Sequence, residues 1–243
     1  MSAFGLIGKS LKHSFSPGYF NEKFRKLGLV DHSYQAFELN AIDALPGFLK
    51  QHPELKGLNV TIPFKKEVLP FLDQQDELVS RSGACNCIKI ADQTLTGFNT
   101  DIPGFRNALL PLLEPQHTKS LILGSGGASM AVRFVLESIG MDYLVVSRKE
   151  REGVINYQSL DETILNQHNL IINTTPLGMF PLVDAFPEIP YHLISKNHLL
   201  FDLIYNPRET EFLKKGAERG AKIENGFSML INQAEESWKI WTH

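Results

Sequence analysis

The sequence predicts two α/β domains in succession, the second of them doubly wound. From Phe4 to Asn99 short apolar runs alternate with stretches of helical periodicity. From Ser120 onward the order becomes strand, glycine turn, helix, strand. The length of 243 residues suits one large or two modest domains. With 43% hydrophobic and 21% charged residues, disordered, collagen-like and coiled-coil classes are excluded.

The first run ends near Gly8, and Ser16-Pro17 reads as an N-cap followed by a first-turn proline. The helix after it carries Phe20, Phe24 and Leu27 on one face and stops at Gly28. A strand over Ser33–Leu39, a helix through Leu45, Phe48 and Leu49, and a strand over Gly57–Ile62 ending at Pro63 come next. After a helix near Lys66–Leu72, Asn86–Ile90 and Thr94–Phe98 form a hairpin closed by Ala91-Asp92-Gln93. Pro103 starts a helix to about Leu113, and Glu114–Thr118 is a polar linker.

In the second domain Ser120–Leu123 is a strand, Gly124-Ser125-Gly126-Gly127 a turn, and Ala131, Phe134, Val135, Ser138 and Ile139 the buried face of a helix ended by Gly140. Strands follow at Tyr143–Val146, Leu170–Asn173, Leu199–Ile204 and Ala221–Glu224. Helices at Ser159–Asn166, with Ser159 and Glu162 at capping-box spacing, and at Thr210–Arg219 lie between them. The final helix, about Phe227–Trp241, places Phe227, Leu230, Ile231, Ala234, Trp238 and Trp241 on one stripe.

A formal charge of −3 gives no basic field to release counterions from a nucleic acid, so no such partner is expected. The only cysteines, Cys85 and Cys87, would share one face of a strand without bridging geometry, as small core residues of a reduced, cytoplasmic chain. No second Cys/His pair completes a metal site. A cleavable leader and an apolar run of membrane-spanning length are both missing from the sequence, so no membrane association is expected.

Five clusters carry chemistry. In Gly124–Ser129 the glycines let backbone N–H groups and a helix N-terminus approach a pyrophosphate; a turn without a ligand would have the same form. Ser147-Arg148-Lys149 stands where a domain selective for NAD carries Asp or Glu, and so would welcome a 2′-phosphate, although a solvated basic turn reads the same way. Ser14 and Ser16 beside a helix start could hold a small carboxylate. Asn59 and Thr61 alternate onto one face leading towards Lys65, as a pocket wall or an edge strand would. Asn86 and Asp101 complete the set; Asp101 is either a carboxylate placed on the helix dipole or an acid/base partner for a lysine.

In order, Ser14–Pro17, Asn59–Lys65, Gly83–Asn86, Asn99–Asp101, Gly124–Ser129, Asn173–Met179, Asp202–Pro207 and Asn225–Leu230 with Gln233-Ala234 resemble the shikimate dehydrogenase family over nearly the whole chain. The resemblance implies a substrate domain of residues 1–101 plus 226–243 and a Rossmann-type NADP-binding domain of residues 102–225, with the active site in the cleft. It implies reversible reduction of 3-dehydroshikimate by NADPH in aromatic biosynthesis, with a small-molecule substrate as partner and a monomer or homodimer as assembly. Lys65 and Asp101 would be catalytic. Ser14, Ser16 and Tyr205 would hold the substrate carboxylate, and Asn59, Thr61, Asn86 and Gln233 would face the ring hydroxyls together with Asp101. Gly124, Ser125, Gly126, Gly127, Ala128, Ser147, Arg148 and Lys149 would bind NADP, with Gly226 and Met229 near its nicotinamide. Departures from the family pattern are Phe20 for the usual His, Cys87 for Thr, and Ser147 and Lys149 for Asn and Thr. An NAD-preferring quinate/shikimate dehydrogenase and a catalytically silent nucleotide-binding protein are the rival readings.

Overall fold

Strand β1 (Ser2–Gly8) turns Ala3 and Ile7 into one core and Phe4 and Leu6 into another, so it is apolar on both faces and has to lie inside a sheet covered on both sides. The computed structural model describes residues 2–12 and 14–243. After β1 come α1 (Ser16–Lys26), β2 (His32–Glu38), α2 (Leu45–Gln51), β3 (Leu55–Val60), α3 (Phe64–Glu67), β4 (Gln74–Gln75), α4 (Glu77–Ser82), β5 (Cys87–Ala91) and β6 (Thr94–Phe98). They build a six-stranded sheet ordered β2-β1-β3-β5-β6-β4. β1 runs parallel to both β2 and β3, and β5 antiparallel to β3.

The second sheet follows α5 (Asp101–Leu109). Its elements are β7 (Lys119–Leu123), α6 (Gly127–Ser138), β8 (Asp142–Val146), β9 (Val154–Ile155), α7 (Glu162–Gln167), β10 (Leu170–Asn173), β11 (Leu199–Asp202), α8 (Glu211–Ala217) and β12 (Lys222–Glu224). The order β12-β11-β10-β7-β8-β9, all parallel, reverses direction between β7 and β10. In an open parallel sheet this reversal leaves a crevice at the carboxyl ends of the strands, where ligands bind. The long helix α9 (Phe227–Thr242) closes the chain. Packing divides the molecule into Met1–Thr100 with Ala234–His243, and Asp101–Gln233.

Several local expectations are corrected. Ser16 is the first helical residue of α1 rather than its cap; the capping position belongs to Phe15. β3 ends at Val60, short of the expected Ile62: the Thr61 N–H makes the last ladder bond to the Ile7 carbonyl (3.0 Å), and the Thr61 carbonyl then takes the Phe64 N–H (2.9 Å) as the chain turns into α3. β3 is also an inner strand, which removes the solvated-edge explanation of its polar row. Ala91 pairs with Thr94, so the hairpin turn is only Asp92-Gln93, both at positive φ (48° and 64°) as a type I′ turn demands. Asp101, not Pro103, opens α5. Helix α4, capped by Asp76 on the Val79 N–H (2.7 Å), and the short β4 were not foreseen.

α6 buries Ala131, Val132, Val135 and Leu136, and Ser138 lies outside that stripe. α7 is capped by Asp161, whose carboxylate accepts from the Ile164 N–H (2.8 Å); Ser159 belongs to the preceding turn. Cys85 and Cys87, both free thiols, pack into different cores because Cys85 lies outside regular strand geometry. On α9 the buried residues are Ala234, Ser237 and Trp241, while Phe227 is 49% exposed. Among the described residues no helix is long and apolar enough to cross a membrane.

Candidate active site

Parallel pairing of β1 with β3 sends the segments after both strands out of the same sheet edge. Ser14 and Ser16 follow β1; Thr61 and Lys65 follow β3. Asn59 pairs with Cys87 on antiparallel β5, so Asn86 enters at that edge too. The fold of the first unit therefore brings together six of the predicted polar residues. His13, immediately before Ser14, lies outside the described residues.

Three of the six meet in one buried polar network. Asn59 (4% exposed) accepts a hydrogen bond at Oδ1 from the Tyr34 hydroxyl (2.7 Å) and donates from Nδ2 to the Asn86 carbonyl (3.2 Å) and to Ser237 Oγ (2.9 Å). Asn86 Oδ1 accepts from the Thr100 N–H (2.6 Å) and hydroxyl (3.2 Å), and Thr100 Oγ1 lies 3.3 Å from Ser237 Oγ. The Ser16 side chain lies against the Tyr34 hydroxyl. Burial holds Tyr34 well above the ordinary phenol range, so it stays protonated and donates. Lys65 is half-buried on α3, and its carbonyl takes the Cys85 N–H (2.8 Å). Burial also pushes both cysteine thiols up, Cys85 to about 12, which leaves them poor nucleophiles.

In the second unit, four parallel strands release the glycine turn, Ser147-Arg148-Lys149, Thr174-Thr175 and Leu203–Tyr205 at one edge of the sheet. Gly124 has φ +103°, and a side chain there would meet Thr174 Oγ1 at 2.8 Å. A Cβ on Gly126 or Gly127 would meet no described atom within 4 Å, so open space fronts the N-terminus of α6. Ser129, which replaces the small residue of the plain fingerprint, is buried and donates to the Gly126 carbonyl (2.6 Å). Its hydroxyl is thus absorbed by the turn instead of obstructing it. Ser125 Oγ and Ser147 Oγ lie 3.4 Å apart, linking the turn to the end of β8.

Arg148 and Lys149 are exposed. Burial raises the Tyr157 hydroxyl's pKa, and the positive charge of Arg148 partly offsets the rise. The next acidic residue, Glu150, accepts from Asn156 Nδ2 (2.8 Å) and the Ser159 hydroxyl (3.3 Å). Tyr205 is 37% exposed after β11. Gly226 is pressed against the Leu203 carbonyl, where any side chain would collide. Gly104 on α5 admits the α9 backbone at Met229 and Gln233, and Gln233 Nε2 donates to the Leu230 carbonyl (3.0 Å).

The buried Asp202 carboxylate accepts from Asn173 Nδ2 (3.0 Å), the Ile204 N–H (3.0 Å) and the Thr210 hydroxyl (2.6 Å), and burial pushes its pKa up to about 6. The folded state therefore holds this proton more tightly than the unfolded chain, whose aspartate titrates near its ordinary value. The stability so gained is fully present below about pH 4 and is lost as pH rises through about 6. Urea midpoints measured from pH 4 to 8 should show the wild type losing stability relative to Asp202→Asn across that window. A constant difference would contradict it.

Residues 6–88 match the model of the shikimate dehydrogenase substrate binding domain. Shikimate dehydrogenase (NADP(+)) of Caldanaerobacter subterraneus subsp. tengcongensis is 36% identical, over 98% of this chain and 91% of its own. The Aquifex aeolicus enzyme of that name is 38% identical, over 98% and 90%. The chain belongs to the shikimate dehydrogenase family. The crystal structure of the Thermus thermophilus shikimate 5-dehydrogenase, in complex with NADP(H) and shikimate, superposes with a TM-score of 0.87 at 31% identity, covering 100% of this chain and 94% of that one.

Two departures from the family pattern have local explanations. Phe20 stacks on Tyr34, ring centroids 4.6 Å apart at 11°, and fills the space as an apolar lid over the network. Cys87 is fully buried with its thiol by Ser237. Tyr34, Thr100 and Ser237 were missed as members of the site. Ser237 had a legible signal, since it sits between Ala234 and Trp241 on the packed stripe of the last helix, where a hydroxyl must find a partner.

Proposed function

We propose that the chain is an NADP-dependent shikimate dehydrogenase, an oxidoreductase that reversibly reduces 3-dehydroshikimate to shikimate with NADPH in aromatic biosynthesis. The observation that carries the cofactor half is the open glycine turn on α6 at the switch point, with Arg148 after the next strand and Glu150 occupied by Asn156 and Ser159. The residues present fit a dinucleotide carrying a 2′-phosphate. Gly124, Ser125, Gly126, Gly127 and Ala128 line the pyrophosphate, Ser147, Arg148 and Lys149 the adenosine phosphate, and Gly226 and Met229 the nicotinamide. Residues 1–101 with 226–243 form the substrate domain in this reading and residues 102–225 the NADP domain, in a cytoplasmic monomer or homodimer.

When bound, NADPH supplies the hydride that the carbonyl carbon receives. Lys65 gives a proton to the carbonyl oxygen as that carbon is reduced and takes it back from the alcohol in the reverse direction. Asp101 is its acid/base partner in this scheme. Ser14, Ser16 and Tyr205 hold the carboxylate of the substrate. Thr61, Asn86 and Gln233 hold its ring hydroxyls, and Asn59 braces Asn86.

The deciding assay follows nicotinamide absorbance with shikimate or quinate crossed against NADP and NAD. Shikimate with NADP should give the highest kcat/KM; higher values with NAD or quinate would hand the assignment to the rival dehydrogenase, and no turnover to the silent protein. Within this reading, Ser14→Ala with Ser16→Ala should raise KM for shikimate far more than for NADP. Ser16 is not the cap of α1, so no helix cap is lost, and an unchanged KM for NADP checks that the variant is folded. Equal effects on both ligands would remove the carboxylate role.

A further inference from the structure

The network around Asn59 has a directional consequence. Both lone pairs of Asn86 Oδ1 are taken by the Thr100 N–H and hydroxyl, so the oxygen accepts nothing further and the side chain's remaining hydrogen-bonding capacity is that of a donor. Asn86 can therefore only donate, and it selects a substrate oxygen that accepts. The orientation depends on groups behind it. Tyr34 fixes which way the Asn59 amide points, Asn59 Nδ2 holds the Asn86 carbonyl, and Ser237 ties Asn59 to Thr100. Every one of these groups is buried, with Thr100 and Ser237 at 0% and Tyr34 at 2% exposure, so none can exchange its partner for water at low cost.

We propose that Tyr34 and Ser237 are positioning residues that act through Asn59 and Thr100 to hold Asn86 as an obligate donor to a ring oxygen of the substrate. This rests on the dehydrogenase reading and deepens it. Tyr34 also lies against Ser16, so one hydroxyl connects the carboxylate end of the pocket with the hydroxyl end. Neither residue touches the reacting atoms in this scheme, and the loss falls on binding of the cyclohexene carboxylate.

The test is a double-mutant cycle on the full chain, with shikimate and NADP as substrates. Tyr34→Phe removes one oxygen and keeps the ring stacked on Phe20. It should raise KM for shikimate by about 5–30-fold, the loss of one or two hydrogen bonds, and leave KM for NADP within about twofold. In an Asn86→Ala background the same change should add less than about twofold, because the group it positions is gone. Ser237→Ala should behave alike.

An unchanged shikimate KM, or the same factor in both backgrounds, would overturn the proposal, since a merely structural role weakens the enzyme whether or not Asn86 is present. If neither variant folds to bind NADP, the network is a folding element and the proposal falls. A wild type that turns over no shikimate would overturn the dehydrogenase reading itself.

Discussion

Replacing Lys65 with alanine is expected to lower kcat by about 10²–10⁴-fold while KM for shikimate changes much less, because a positioned proton donor contributes mainly in the transition state. Reduction of a ketone by hydride leaves an alkoxide, and the barrier contains the cost of that charge unless a proton arrives with it. Lys65 is suited to the task by its place. It stands half-buried in the first turn of α3, directly after a strand whose neighbours deliver Ser14, Ser16 and Asn86 to one edge. Its backbone is pinned by the Cys85 N–H, so the side chain starts from a fixed point. Asp101→Asn should also reduce kcat, and the double variant should lose far less than the product of the two single losses if they act as a unit. A Lys65→Ala enzyme with near-normal kcat would end the assignment, and multiplicative losses would end the pairing.

What was legible in the sequence was whatever a local rule could carry. The glycine turn, its strand and its helix followed from period and composition, and the parallel second sheet followed from their repetition. Ser14, Asn59, Thr61, Lys65 and Asn86 stood out because a polar residue beside a buried run needs a reason. Helix ends were less legible: Ser159 and Asp161 both satisfy a capping pattern, and only the fold decides which one meets a free N–H.

The network behind Asn86 was hidden for a deeper reason. Its members come from β2, β3, the approach to β5, the end of β6 and the last helix, and Asn59 and Ser237 lie 178 positions apart. Such a set has no spacing to read. The faces of the two cysteines illustrate the same limit, since alternation assigns them to one side and the irregular segment before β5, to which Cys85 belongs, moves it to the other.

Arg148→Ala should weaken NADP by about 10–150-fold and NAD far less, which is the loss of a charge-assisted hydrogen-bonded contact worth roughly 1.5–3 kcal/mol. The planar guanidinium can pair with two oxygens of a 2′-phosphate and stack on the adenine, a geometry that a lysine in its place would not reproduce. Three features of the turn favour that phosphate. Ser147 at the end of β8 brings no charge, Arg148 and Lys149 are exposed and positive, and the Glu150 carboxylate, which could otherwise hold ribose hydroxyls, is engaged by Asn156 and Ser159. Lys149 supplies part of the same long-range attraction, so the single variant should keep some preference for NADP and Arg148→Ala with Lys149→Ala should lose more. Raising the salt concentration should shrink the NADP advantage of the wild type and leave NAD nearly unaffected, since exposed charges are screened. Equal weakening of both cofactors by Arg148→Ala would show that the side chain supports the turn instead of reading the phosphate, and a wild-type kcat/KM higher with NAD would make the chain an NAD enzyme.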